Sequence, residues 1–113
     1  MPPIEGNFKE TLKILPGGKE VEAIGPLTWP DKAHNMTLHV AIMKDKVAAT
    51  GRGDLTRSDL TKTKKTFVVE AQVQGEGKLT PGPAIATGLA LVPGEGLEMY
   101  QWSEGIDLVN GTA

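Results

Sequence analysis

The chain has no cysteine, which removes disulfides and thiolate chemistry together and leaves 113 residues to be held by their core alone. A domain of this length buries roughly two-thirds of the surface its unfolded form exposes, so it needs no staples. Arginine is almost as scarce. Only Arg52 and Arg57 accompany ten lysines, against fourteen acids and a net charge of -2, so the basic stripe that grips phosphates is missing and no nucleic-acid partner is expected. Long apolar runs are absent too: the longest, Ala84 to Val92, is broken by Thr87 and Gly88 and is about half of what a helical span needs, which argues against a membrane protein. The first residues, Met1 to Gly6, lack the basic start and apolar core of a secretory signal. The expectation is a cytoplasmic protein, or one from which a leader or a larger parent chain has been removed.

What the chain has in quantity is glycine and proline, at 22 positions together, spread as punctuation between short alternating runs. That is how an all-β chain reads. Thr66 to Gln74 places Phe67, Val69, Ala71 and Val73 on one face, and Met36 to Met43 alternates in the same way, with Met36, Leu38, Val40 and Ile42 on one side. Lys44-Asp45-Lys46 then predicts a turn into a returning strand, Val47 to Arg52. Ala84 to Val92 is apolar on both faces, as a central strand covered by a second sheet would be, with proline confined to its edges. Leu97 to Trp102 and Ile106 to Val109 read as shorter strands. Residues 7–15 carry helical spacing at Phe8, Leu12 and Leu15, yet Pro16-Gly17-Gly18-Lys19 before a second alternating run, Glu20 to Ile24, is a hairpin signal and favours strand.

Seven or eight short strands with regular turns in residues 1–113 predict one all-β domain, an antiparallel two-sheet sandwich of immunoglobulin-like size. A small closed barrel is the alternative, because both architectures share the same period.

Chemistry-bearing residues are few. The two serines, Ser58 and Ser103, have no glycine-framed context, and the two Gly-Glu-Gly segments are followed by no helix that could complete a phosphate loop. His34 and His39 are five residues apart, on opposite faces of a strand, and would not easily share a metal. A metal-dependent hydrolase around His34, His39, Asp54 and Asp59 is therefore the weakest of three readings. Asn35-Met36-Thr37 and Asn110-Gly111-Thr112 match glycosylation sequons and are read as coincidence.

Two constellations remain. Glu98, Tyr100 and Trp102 share one face of a strand, where stacked aromatics beside a carboxylate would take a sugar ring or a small ligand if that face is open; the competing reading puts Trp102 and Trp29 in the core. Gly51-Arg52-Gly53-Asp54 contains an adhesion tripeptide and leads into a polar stretch to Thr61, so Arg52, Asp54, Arg57 and Asp59 form a candidate partner-binding loop. The leading reading is a non-enzymatic interaction or structural module with no cofactor and no catalytic residue. It would act through sheet faces, loops or an edge strand on a protein partner, its own copy included.

Overall fold

In the computed structural model, residues 5–28, 35–56, 66–92 and 98–111 are described. They form eight strands: β1 (Glu5–Gly6), β2 (Thr11–Ile14), β3 (Glu20–Thr28), β4 (Asn35–Lys44), β5 (Val47–Thr56), β6 (Thr66–Val73), β7 (Gly82–Val92) and β8 (Glu98–Asn110). No helix occurs among the described residues, so the segment around Phe8 to Leu15 is extended, as the hairpin signal after it required. Gly17 and Gly18 supply positive φ in that hairpin, and Asp45 takes the left-handed conformation in the two-residue turn between β4 and β5.

The strands close into a barrel in the order β2-β8-β7-β4-β5-β6-β3 and back to β2. This corrects the two-sheet sandwich and realises the alternative. β1 and β2 are two parts of one N-terminal stave. Both run antiparallel to β3, but six residues separate Gly6 from Lys13 while four separate their partners Leu27 and Glu22, so two extra residues bulge the stave in between. The barrel therefore has seven staves. An odd ring cannot alternate direction all the way round, and one neighbouring pair must be parallel. Here that pair is β2 with β8, in register from Thr11↔Asp107 to Ile14↔Asn110. Parallel neighbours in sequence need a long crossover, but β2 and β8 are the first and last staves and are joined only through the other five.

Alternation sorts each stave into an inward and an outward row. The inward rows supply a core of Leu12, Ile14, Val21, Leu38, Ile42, Phe67, Leu108 and their neighbours, and every buried side chain among the described residues is apolar. Four of the five aromatics meet inside: Phe8 and Phe67 edge to face at 5.6 Å, Trp102 at 5.4 Å from Phe8 and 6.2 Å from Phe67, and Tyr100 stacked on Trp102 at 5.4 Å. The indole lies across two glycines. Gly88 is its cross-strand partner, and a Cβ at Gly88 or at Gly6 would stand 2.4 Å or 2.8 Å from the ring. At one end Leu79 plugs the barrel, its N–H donating to Gly18 O at 2.9 Å.

Two strand expectations are corrected. The two short C-terminal strands are one, because β7 pairs with β8 without interruption from Gly82↔Leu108 to Val92↔Glu98, with Gly105 paired to Ile85 inside the ladder. The strand from Val47 does not hand over to a loop at Gly53. It pairs with β4 as far as Asn35↔Thr56. Its inward row contains Gly51 and Gly53, where a Cβ would meet the Glu70 carbonyl at 2.2 Å and the Val69 side chain at 3.0 Å, so the hydrophobic signal of a strand is missing exactly where the neighbouring stave lies closest.

We expect Gly88→Ala to destabilise the protein by about 1–3 kcal/mol, because the added methyl would stand 2.4 Å from the indole ring. Urea unfolding measures this, and an unchanged midpoint would contradict the packing described.

Candidate functional site

Between β8 and the N-terminal stave the barrel wall is split. Asn7 and Lys9 direct their N–H groups to Pro26 O and Ile24 O on β3, at 3.1 and 2.9 Å. The intervening Phe8 N–H points the other way, toward β8, and the β2–β8 ladder starts only near Glu10, whose carbonyl accepts from Asp107 N–H. The half-buried Glu104 bridges the gap: its Oε2 accepts from Phe8 N–H at 3.1 Å. With the Asn7 amide nitrogen turned to the carboxylate, Asn7 donates to Oε1 at 2.8 Å. A side chain thus takes the place of a strand–strand bond, and Glu104 is structural. Glu104→Ala should leave Phe8 N–H unpaired, cost about 1 kcal/mol, and speed hydrogen exchange at that amide. Glu104→Gln retains an acceptor oxygen and should exchange more slowly than the alanine variant.

Tyr100 and Trp102 share a face, as expected, but it is the inward one. Trp102 is 8% exposed, and its ring is covered by Gly6, Gly88, Phe8 and Tyr100. Tyr100 is half-buried against the core. The pair offers no open platform for a sugar ring. Trp102 Nε1 is buried and finds no acceptor among the described residues. Glu98 opens β8. Trp29 lies outside the described residues.

Arg52 and Asp54 lie on the outward row of β5, so these two are strand residues, which corrects the partner-binding loop expected of them; Arg57 and Asp59 lie outside the described residues. The two side chains satisfy each other. Arg52 donates to Asp54 Oδ1 through Nη2 at 3.2 Å and Nε at 3.4 Å, and Thr37 Oγ1 on β4 donates to the same oxygen at 3.0 Å. An adhesion ligand needs an arginine and an aspartate extended away from each other at a loop tip, and neither condition holds here. The Thr37 hydroxyl, and after it the Arg52 guanidinium, hold the Asp54 carboxyl below the usual carboxylate range.

His39, on β4, faces outward between Thr37 and Ala41 and is half-buried; His34 lies outside the described residues. No group of three or more His, Asp or Glu side chains gathers where it could hold a metal among the described residues.

The feature that sequence reasoning missed is the outer wall over β4, β7 and β8. Outward on β4 stand Thr37, His39, Ala41 and Met43, and on β7 Ile85, Thr87, Leu89 and Leu91. On β8 they are joined by Met99, Gln101, Ser103 and Gly105. None of these twelve positions carries Asp, Glu, Lys or Arg, where a solvated surface of this size would hold roughly three or four. Met43, Ile85 and Met99 are 55%, 52% and 65% exposed. The opposite wall, over β2, β3 and β6, is ordinary by comparison, with Lys13, Glu20, Glu22 and Glu70 pointing out. The sequence signal for the charge-free wall was the double-sided apolar run Ala84 to Val92. Such a run suits a strand covered by a second sheet, and a barrel has none to offer.

Among the described residues, two recesses interrupt this wall. One of about 300 Å³ lies over small residues, between His39, Ala41, Thr50, Thr87, Leu89 and Gln101. The other, of about 590 Å³, lies at its lower edge, where Met43 and Ile85 meet Glu10, Asp45 and Asp107; there the charge-free area ends. Lys44 at that edge is engaged by Asp45 at 3.5 Å and by Thr80 Oγ1 at 2.9 Å.

Because the Asp54 carboxyl titrates lower in the folded than in the unfolded chain, its bonds to Thr37 and Arg52 add stability above the unfolded pKa of roughly 4, and that contribution is lost as pH falls through the lower folded value. Thr37→Val should move the Asp54 titration, followed by carboxyl NMR, up toward the ordinary range, and the stability difference from the parent should vanish in acid. An unmoved titration would count against the Thr37 bond. Comparison with protein-family models, with curated proteins and with solved structures finds no match to this chain, so its function has to be argued from the residues on this wall.

Proposed function

We propose that the protein is a non-enzymatic interaction module that docks a protein partner on the charge-free outer wall of β4, β7 and β8. One observation carries this reading: the outward row of β7, Ile85, Thr87, Leu89 and Leu91, is as free of charge as the row it sends into the core. A strand with two such rows matches burial on both faces, and an outer surface where exposed Ile85, Met43 and Met99 flank the half-buried Leu89 and Leu91 with hydroxyls among them fits an interface. The interior speaks for the same reading, since it is filled by side chains from all seven staves and leaves no chamber for a ligand among the described residues.

The test is a photo-crosslinking residue placed at Leu89, and at Gln72 on the opposite wall as control, in the cells that make the protein natively. Leu89 should give one adduct of discrete mass, lost on Thr87→Lys, while Gln72 gives none. Equal or absent labelling at the two positions would sink the proposal.

A further inference from the structure

Resting on that reading, we infer that the partner on this wall is a second copy of the same chain, packed face to face about a two-fold axis that passes close to Leu89. In an isologous contact each group near the axis meets its own copy, so any formal charge there faces a like charge. A different partner carries no such prohibition and would normally be steered by complementary charge. A wall without Asp, Glu, Lys or Arg at twelve positions, Leu89 and its neighbours among them, meets that condition.

The polar groups on the wall obey the same restriction. They are Thr37, His39, Thr87, Gln101 and Ser103, and a hydroxyl, a carboxamide or a neutral imidazole can both donate and accept, so each can bond to its own copy, which neither an ammonium nor a carboxylate can do. The Thr87 and Ser103 hydroxyls already lie 2.9 Å apart, with either able to donate. Where charge reappears at the β5 rim, Arg52 and Asp54 neutralise each other.

Shape and area are consistent with a self-contact of modest strength. The recess over Ala41 and Thr50 hollows a wall that would otherwise be convex, and Met99, 65% exposed on the same wall, is an unbranched apolar side chain able to enter it. Three strands about 4.8 Å apart and seven residues of about 3.3 Å rise, with the half of β5 that carries Ala48 and Thr50, cover on the order of 390 Å² per copy. Roughly 780 Å² between two copies is below the range of stable specific interfaces and belongs to weak, transient contacts. The dimer should therefore form reversibly and be populated at elevated concentration.

Sedimentation velocity of the purified full chain, from low micromolar to millimolar, is the decisive measurement. The expected result is a concentration-dependent species at twice the 12.0 kDa of the chain. Leu89→Glu should weaken it at least tenfold and Val68→Glu on the opposite wall should not, with near-ultraviolet circular dichroism establishing that each variant is folded. Mixing Leu89→Glu with Leu89→Lys should restore association, because only a two-fold contact brings the two substituted positions together. A parent protein that stays monomeric, a dimer indifferent to Leu89→Glu, or variants that remain apart when mixed would each overturn the inference. A monomeric parent whose Leu89 crosslinks to a different protein would remove the second copy and leave the module. A monomeric parent with no crosslink would remove both.

Discussion

Closure of the ring is the constraint on which everything else depends. Each stave buries only its inward row, and that row is buried only if neighbours flank it on both sides. Three of the seams are short. β5 and β6 are in register only at Ala49↔Val73 and Thr50↔Gln72, β2 and β3 only at Lys13↔Glu22 and Ile14↔Val21, and β2 and β8 over four residues, whereas β7 and β8 pair along the whole of β7. The odd stave count makes one seam parallel, and the first and last staves, joined only through the other five, meet that requirement without a crossover. Below the parallel ladder, where no backbone partner reaches Phe8, the Glu104 carboxylate takes the N–H. Closure is thus completed partly by a side chain.

The same closure explains how the aromatics and glycines are used. With so few aromatics in the chain, four are spent on one cluster at the split, and Gly6 and Gly88 are there because the Trp102 ring occupies the space their side chains would fill. Gly51 and Gly53 serve the equivalent purpose at the β5–β6 seam. They let two staves approach where their ladder is shortest, and in doing so remove the inward hydrophobes by which β5 would have been recognised as far as Thr56. Arg52 and Asp54 then stood out as a loop motif when they are neighbours on one row of a strand.

A barrel that fills its own interior has only its outside to work with. Its two walls differ: one carries the usual mixture of lysine and glutamate, and the other carries none over three strands. Conformational stability gains little from leaving Met43, Ile85 and Met99 facing water, and a charge-free surface lowers solubility. Its retention on one wall alone fits a contact made there, and the hydroxyls and amide among the apolar groups fit a contact between like surfaces.

The sequence by itself determined the all-β class, the alternating rows that became the core, the hairpins at Pro16 to Lys19 and Lys44 to Lys46, and the absence of thiol chemistry, because each of these follows from local period, turn residues or composition. It also held the signal of the exposed wall, in a run apolar on both faces. The tertiary structure alone decided that the staves close into a barrel, that Tyr100 and Trp102 face inward, and that the second apolar face of β7 has no covering layer among the described residues. Those outcomes depend on which strands become neighbours, through pairings as distant as Thr11 with Asp107 and Val21 with Ala71. A period of two specifies that a strand has a buried face but carries no information about what stands opposite it.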